Sequence, residues 1–185
     1  MLQELATRTY DRARESAPQV EYHIQLRSAL PLRQALVRLQ MMAAGYDTLD
    51  AGQQKSLDAQ AAKYLAVQFP ETVVIYVEYS TNTPGYSRDL VNYWRTRVTG
   101  SLQDVRLRAP RGERLSLVSF VHSGNDVSAF QLTFARLVGG EPILNPQDDE
   151  LELEFNHPAV GDVSGERILV VFKVHDLLLN GALSY

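Results

Sequence analysis

The stretch Glu150-Leu151-Glu152-Leu153-Glu154-Phe155 alternates acidic and apolar side chains at every position. Successive side chains of a β-strand point to opposite faces, so this period of two puts Leu151, Leu153 and Phe155 on one face. The three glutamates then lie on the other face. The pattern predicts a strand that is buried on one side and wet on the other.

The same period of two recurs almost everywhere from Asp104 to the C-terminus, and turn-forming residues such as Asn180-Gly181 separate the alternating segments. Short strands at this spacing are typical of an antiparallel sandwich or barrel. The expected strands cover residues 105–109, 115–121, 127–136, 150–155 and 168–174. The expected core side chains are Phe120 or Val121, Phe130, Phe134, Leu153, Phe155, Val170 and Phe172.

Apolar residues three and four positions apart predict helices in the first part of the chain. Pro31 suits the first position of a helix, and Asp50 followed by Gln53 matches a capping box. The predicted helices cover residues 2–16, 31–45, 51–68 and 84–98. The second and third of these form a helical hairpin. In the fourth, the inward side chains are expected to be Leu90, Val91, Trp94 and Val98.

Two other segments before residue 84 have strand patterns. Residues 19–27 alternate apolar and polar side chains and predict a strand, with a helix as the rival interpretation. Residues 72–79 are β-branched and apolar on both faces, which predicts a central strand covered on both sides.

The predicted fold class is therefore α+β. An N-terminal helical hairpin and one further helix pack on an antiparallel β-sandwich formed mainly by the C-terminal half. We expect one domain over residues 1–185, with a mainly helical annex (1–70) and a sandwich portion (71–185).

Composition excludes several classes of function. The chain has 185 residues and no cysteine, which rules out disulfides, thiolate nucleophiles and Cys-ligated metals. A net charge of -4 argues against nucleic-acid binding. The apolar run 168–172 is far shorter than the roughly 20 residues of a membrane span, so no transmembrane segment is expected. Residues 1–5 lack an apolar signal core, so either no signal peptide existed or it was removed. A cysteine-free sandwich with a helical N-terminal lead favours an extracytoplasmic protein whose signal peptide is absent from this chain, the alternative being a cytoplasmic protein.

Charge is segregated along the sequence. Residues 140–166 hold eight acids and no Lys or Arg, whereas residues 88–114 hold seven arginines. Opposed unlike charges stabilise neighbouring strands by about 0.2–1 kcal/mol each. We therefore predict that strands 105–109 and 150–155 are neighbours or pair between subunits, the alternative being two solvated faces. The residues concerned are Arg106, Arg108, Glu150, Glu152 and Glu154.

Two groups of residues are candidate ligands of a divalent cation. Calcium requires six to eight oxygens, and zinc three imidazoles or two with a carboxylate. The candidates are Asp148, Asp149 and Glu150 in one loop, and His122, His157 and His175 near strand ends. Because acids also form ordinary turns and histidines ordinary hydrogen bonds, no cofactor is expected.

Aromatic residues cluster around the segment YSTNTPGY, residues 79–86. Exposed aromatic side chains in a groove bind sugars or peptides, so Tyr79, Tyr86 and Trp94 are candidate ligand-binding residues. The alternative is that Leu90 and Trp94 form the seam by which their helix packs on the sheet.

No nucleophile or phosphate-binding motif is present: the sequence contains no GxSxG, no GxxxxGK[ST] and no GxGxxG. We expect a non-catalytic binding or assembly module whose partner is a protein or a second copy. One alternative is a hydrolase that uses His and Asp or Glu at strand ends, with or without a metal. A weaker alternative is a glycan-binding domain.

Overall fold

The computed structural model describes residues 7–10, 20–123, 126–159 and 165–185. Three α-helices and a large antiparallel sheet lie within these ranges, with most strands in the C-terminal half. The predicted α+β class is confirmed.

The helices are α1 (Leu30–Ala43), α2 (Ala51–Leu65) and α3 (Pro84–Arg95). The strands are β1 (Thr7–Tyr10), β2 (Val20–Leu26), β3 (Thr72–Thr81), β4 (Arg106–Arg108), β5 (Arg114–Ser123), β6 (Asp126–Ala135), β7 (Leu137–Val138), β8 (Glu141–Pro142), β9 (Glu150–His157), β10 (Glu166–Lys173), β11 (Leu178–Leu179) and β12 (Ala182–Leu183).

Eight strands form one sheet in the order β1-β2-β3-β6-β5-β4-β9-β10, and all neighbours in it are antiparallel. The edge strands β1 and β10 lie against each other, so the sheet curls almost into a barrel. The predicted sandwich is thus built from a single curled sheet. The contact between β1 and β10 partly covers the two strand edges, although the described residues of these strands are not hydrogen-bonded to each other.

The inner face of the curled sheet and helix α3 enclose the hydrophobic core. Side chains of β2 alternate between buried and half-buried along the whole strand. Trp94 of α3 lies against Phe130, with 4.5 Å between ring centroids. The expected core residues of β6, β9 and β10 are buried, namely Phe130, Phe134, Leu153, Phe155, Val170 and Phe172.

Strand β5 settles the choice between Phe120 and Val121. Its pairing with β6 shifts register between Leu117 and Ser119. A bulge changes which residues face inward, because one extra residue interrupts the alternation. Phe120 is therefore buried at 8% exposure, whereas Val121 is 51% exposed.

The predicted helix over residues 2–16 is wrong where the structure describes it. Residues Thr7–Tyr10 form strand β1 and pair with β2, Thr9 lying opposite His23. A short isolated helix is marginal in water, and the edge of β2 offers backbone partners instead. The rest of that prediction, residues 1–6 and 11–16, lies outside the described ranges. Over residues 19–27, Val20–Leu26 form a strand and the rival helix is wrong.

The helical hairpin is confirmed, with slightly earlier ends than predicted. Helix α3 ends at Arg95, where the Thr96 hydroxyl donates to the Tyr93 carbonyl at 2.9 Å. Val98 lies beyond this end and is 64% exposed, so its predicted inward position is wrong. Within the described ranges, none of the helices has the length and apolar character to cross a bilayer.

Two expected turns form as their sequences require. Asn180 and Gly181 have positive φ values of 53° and 79° between β11 and β12. Asn-Gly is favoured at such turns because both positions need a left-handed backbone. Gly139 and Gly140 make the corresponding turn between β7 and β8. The expected turn at residues 123–126 lies partly outside the described ranges.

Strand β3 is central, between β2 and β6, as predicted. Its outer face is covered only near its beginning: Val74 is buried, Tyr76 is half-buried and Glu78 is exposed. The expectation of cover along both whole faces is therefore wrong. The base of the helical hairpin lies against this covered end.

Candidate functional site

The predicted ligand-binding aromatics are buried in the core. Tyr79, Tyr86 and Trp94 are 3%, 6% and 2% exposed. Leu90 is also fully buried, so Leu90 and Trp94 are the seam between α3 and the sheet. These side chains contribute to packing because the curled sheet encloses them, and they form no exposed groove.

His157 is held inside the core by two tyrosines from distant parts of the chain. Its Nδ1 lies 2.7 Å from Tyr22 Oη and its Nε2 lies 2.6 Å from Tyr86 Oη. A neutral imidazole donates from one nitrogen and accepts at the other, so one tyrosine can donate while the other accepts. Burial raises the pKa of the Tyr22 phenol well above its usual range. The cluster joins β2, α3 and β9 in the interior.

The candidate metal ligands do not assemble. Within the described ranges, no group of three or more His, Cys, Asp or Glu side chains is placed to hold a metal ion. His122 contacts the ring of Phe120, and His175 pairs with Asp176 at 2.9 Å.

In the loop before β9, the acids make local contacts. Asp148 accepts from the Asn145 amide at 2.7 Å, and Glu150 pairs with Lys173 at 2.7 Å. Asp149 lies beside them, and its carbonyl accepts from the Val174 amide. Turn formation and strand pairing thus account for the side chains of Asp148 and Glu150.

The oppositely charged strands lie side by side. In the β4–β9 pair, Arg106 lies opposite Glu154 and Arg108 opposite Glu152. Arg108 is 3.1 Å from Glu152 and 3.5 Å from Glu154. This is the neighbour arrangement within one subunit that the charge pattern predicts. The side chains at these contacts are 19–32% exposed, so the ion pairs lie at the surface of the sheet.

Helix α1 begins in the core and leaves it halfway along. Its apolar stripe starts at Leu32, which is 6% exposed, and passes through the partly buried Leu36. The same stripe continues to Leu39, which is 48% exposed, and to the exposed Ala43. Met42 beside them is 68% exposed. We call Leu39, Met42 and Ala43 the exposed α1 stripe.

Helix α2 buries no side chain, and its ends are held by polar contacts. At its beginning, Asp50 and Gln53 form the predicted capping box. At its end, the nearly buried Arg33 donates from Nη1 to the carbonyls of Val67 at 2.7 Å and Tyr64 at 3.3 Å. These bonds satisfy carbonyls that a helix terminus leaves without partners. The hairpin thus projects from the sheet on a defined base.

A cavity of about 270 Å³ lies at that base, between the end of α2 and the outer face of the sheet. Its floor includes Tyr76 of β3 and Gln131 of β6, which lie opposite each other in the paired strands. We call it the base cavity. Its lining includes Arg27, Arg33, Phe69, Tyr76, Ser123 and Gln131.

Arg27 is positioned over the floor of the base cavity. Its guanidinium lies 4.4 Å from the centroid of the Tyr76 ring, and its Nε donates to Gln25 Oε1 at 2.8 Å. Sequence reasoning missed this residue. The sequence places Arg27 directly after an alternating strand whose outer-facing residues are polar, which was an indication of an exposed position. The aromatic ring that Arg27 contacts could not be identified in the same way, because Tyr76 lies 49 positions away on another strand.

Comparison with known proteins adds no function. No protein-family model and no curated protein matches the chain. A solved protein of unknown function from Burkholderia pseudomallei aligns over 85% of this chain and 77% of its own, at 11% identity and a TM-score of 0.47. A DUF4426 family protein from Pseudomonas aeruginosa aligns over 92% of this chain and 96% of its own, at 11% identity and a TM-score of 0.38. No property is carried over from either protein.

Proposed function

We propose that this chain is a non-catalytic assembly module that pairs with a second copy of itself through the exposed α1 stripe. One observation carries the proposal: the stripe that anchors α1 in the core continues beyond the core to Leu39 and Met42. Burying a large apolar side chain contributes about 1.5–3 kcal/mol relative to leaving it exposed. A surface that covers these residues therefore gains stability that the monomer lacks.

A second copy fits this surface for two reasons. Two antiparallel helical hairpins can pack into a four-helix bundle, and a two-fold axis pairs the same patch on both subunits. The exposed charges of the hairpin are also balanced, with three cations and three anions, so the two hairpins do not repel each other through net charge. These residues are Arg38, Lys55, Lys63, Asp47, Asp50 and Asp58.

The other functions expected from the sequence have weaker support. A hydrolase needs converging polar side chains, yet the described residues contain no group of three or more His, Asp or Glu placed to hold a metal ion, and His157 is enclosed. A glycan-binding domain needs exposed aromatic rings, and Trp94 is 2% exposed.

Sedimentation velocity of the full chain over a range of concentrations tests the proposal. We expect a monomer–dimer equilibrium in the wild type. Leu39→Lys and Met42→Lys should each weaken dimerisation by about tenfold or more, since placing a charge in an apolar contact costs at least about 1.4 kcal/mol.

Val98→Lys is the matched control, because Val98 is a similarly exposed apolar residue outside the hairpin. It should dimerise like the wild type. Circular dichroism establishes that each variant is folded. A wild type that stays monomeric at every concentration, or stripe variants that dimerise unchanged, would overturn the proposal.

A further inference from the structure

The base cavity is positively charged although the chain as a whole is negative. Among the residues that the structure describes, its lining contains two arginines, Arg27 and Arg33, and no Asp or Glu. Among the ion pairs of the described residues, none involves either arginine. In a chain with a net charge of -4, two arginines in one cavity make a local concentration of positive charge that attracts an anion.

Arg27 is preorganised to bind a planar anion. Stacking on Tyr76 and the Nε bond to Gln25 fix the plane of its guanidinium. Its two Nη atoms make no hydrogen bond to the described part of the chain. A fixed guanidinium presents these two nitrogens as a fork that matches the two oxygens of a carboxylate. Little side-chain entropy is then lost on binding.

Arg33 already binds other groups of the protein. Its Nη1 donates to the carbonyls at the end of α2, and its guanidinium lies 5.2 Å from the Phe69 ring. The positive charge of Arg33 therefore offsets the partial negative charge of the helix C-terminus. Arg27 is then the one cation of the described lining whose charge is available to a ligand. A single positive charge suits a carboxylate better than a doubly charged phosphate.

The walls of the cavity suit an apolar body attached to that carboxylate. Phe69, Val74 and Tyr76 supply aromatic and aliphatic surface, and Gln131 and Ser123 supply polar groups at the edge. Small-molecule sites combine mostly apolar walls with a few placed polar groups. At about 270 Å³, the cavity accommodates a small molecule.

The geometry points to a binding site for a small monocarboxylate with an aromatic or apolar body, its carboxylate held by Arg27 over Tyr76. The site is separate from the exposed α1 stripe and does not depend on self-association.

Isothermal titration of the full chain with benzoate and 3-phenylpropanoate tests the site. We expect saturable binding at one site per chain. Benzamide, which has the same shape without the charge, should bind at least about tenfold more weakly, and inorganic phosphate should bind more weakly than benzoate. On addition of benzoate, the side-chain amide resonances of Gln131 should shift in an NMR spectrum.

Substitution of Arg27 separates charge from geometry. Arg27→Gln should lower benzoate affinity about tenfold or more, and Arg27→Lys should restore only part of it because an ammonium lacks the fork. Arg38→Gln, an exposed arginine of the hairpin, is the matched control and should bind as the wild type does. Thermal unfolding establishes that the variants are folded.

Each contrary result is decisive. Absence of saturation with both acids, unchanged affinity in Arg27→Gln, or benzamide binding as tightly as benzoate would overturn the carboxylate site. If phosphate binds more tightly than either acid, the proposal of a monocarboxylate ligand is overturned. None of these outcomes bears on dimerisation, which sedimentation measures separately.

Discussion

Helices α2 and α3 differ in environment far more than in length. Helix α3 has 12 residues and buries Tyr86, Leu90 and Trp94 in the core. Helix α2 has 15 residues and buries none. The first is held by apolar packing inside the curled sheet, and the second by its caps and by Arg33. Most of the stabilising apolar packing therefore lies in the curled sheet and α3, whereas the hairpin is available for contacts outside the subunit.

The comparison predicts its largest contrast at two aromatic residues. Trp94→Ala should lower the free energy of unfolding by about 3–5 kcal/mol because it leaves a cavity among Phe120, Phe130 and Phe155. Tyr64→Ala in α2 should cost about 1 kcal/mol, since Tyr64 is 36% exposed. Urea unfolding measures both values. Equal costs would show that α2 supports the fold as much as α3 does.

A smaller effect distinguishes a buried tyrosine from one on the hairpin. Burial raises the pKa of Tyr22, whereas in the half-buried Tyr46 the hydrogen bond to Asp58 raises the pKa. A folded-state pKa above the unfolded value of 10.0 means that the stability is fully present below pH 10 and is lost as pH rises through the folded value.

Tyr22→Phe should therefore make the alkaline loss of stability less steep, and Tyr46→Phe should change it less. Below pH 10, Tyr22→Phe should also cost about 0.5–1.5 kcal/mol, because His157 Nδ1 loses a partner. Chemical unfolding at a series of pH values measures both. If the two variants have the same pH profile, burial is not the cause of the alkaline sensitivity.

The smallest predicted effect lies on the outer face of the curled sheet. The pair Arg108–Glu152 should show a coupling free energy of about 0.2–1 kcal/mol in a double-mutant cycle with alanine, decreasing as salt is added. Arg38 and Glu152, which lie on different parts of the molecule, are the control pair and should not couple. A coupling of zero for Arg108–Glu152 would show that strand pairing places these charges together without a gain in stability.

Local sequence pattern was sufficient to predict most of the helices, strands and turns. The alternation in β9 and β2, the capping box at Asp50 and the Asn180-Gly181 turn each depend on residues close in sequence, so they could be read directly. The pairing of β4 with β9 could also be predicted, because the sequence contains two segments with complementary charge patterns.

The residues 7–10 show where local pattern is not enough. Their spacing resembles a helix, yet the open edge of β2 makes a strand of them. The base cavity was equally inaccessible, since Arg27, Tyr76 and Gln131 come together only through the register of three strands.

Sequence by itself determined which side chains along each strand or helix share a face. Only the tertiary structure decided what covers that face: the curled sheet encloses Trp94 and Tyr86, while α1 carries Leu39 and Met42 out of the core. The reason is that periodicity is a property of neighbouring residues. Burial depends on elements that are distant in the chain and meet only when the sheet closes on itself.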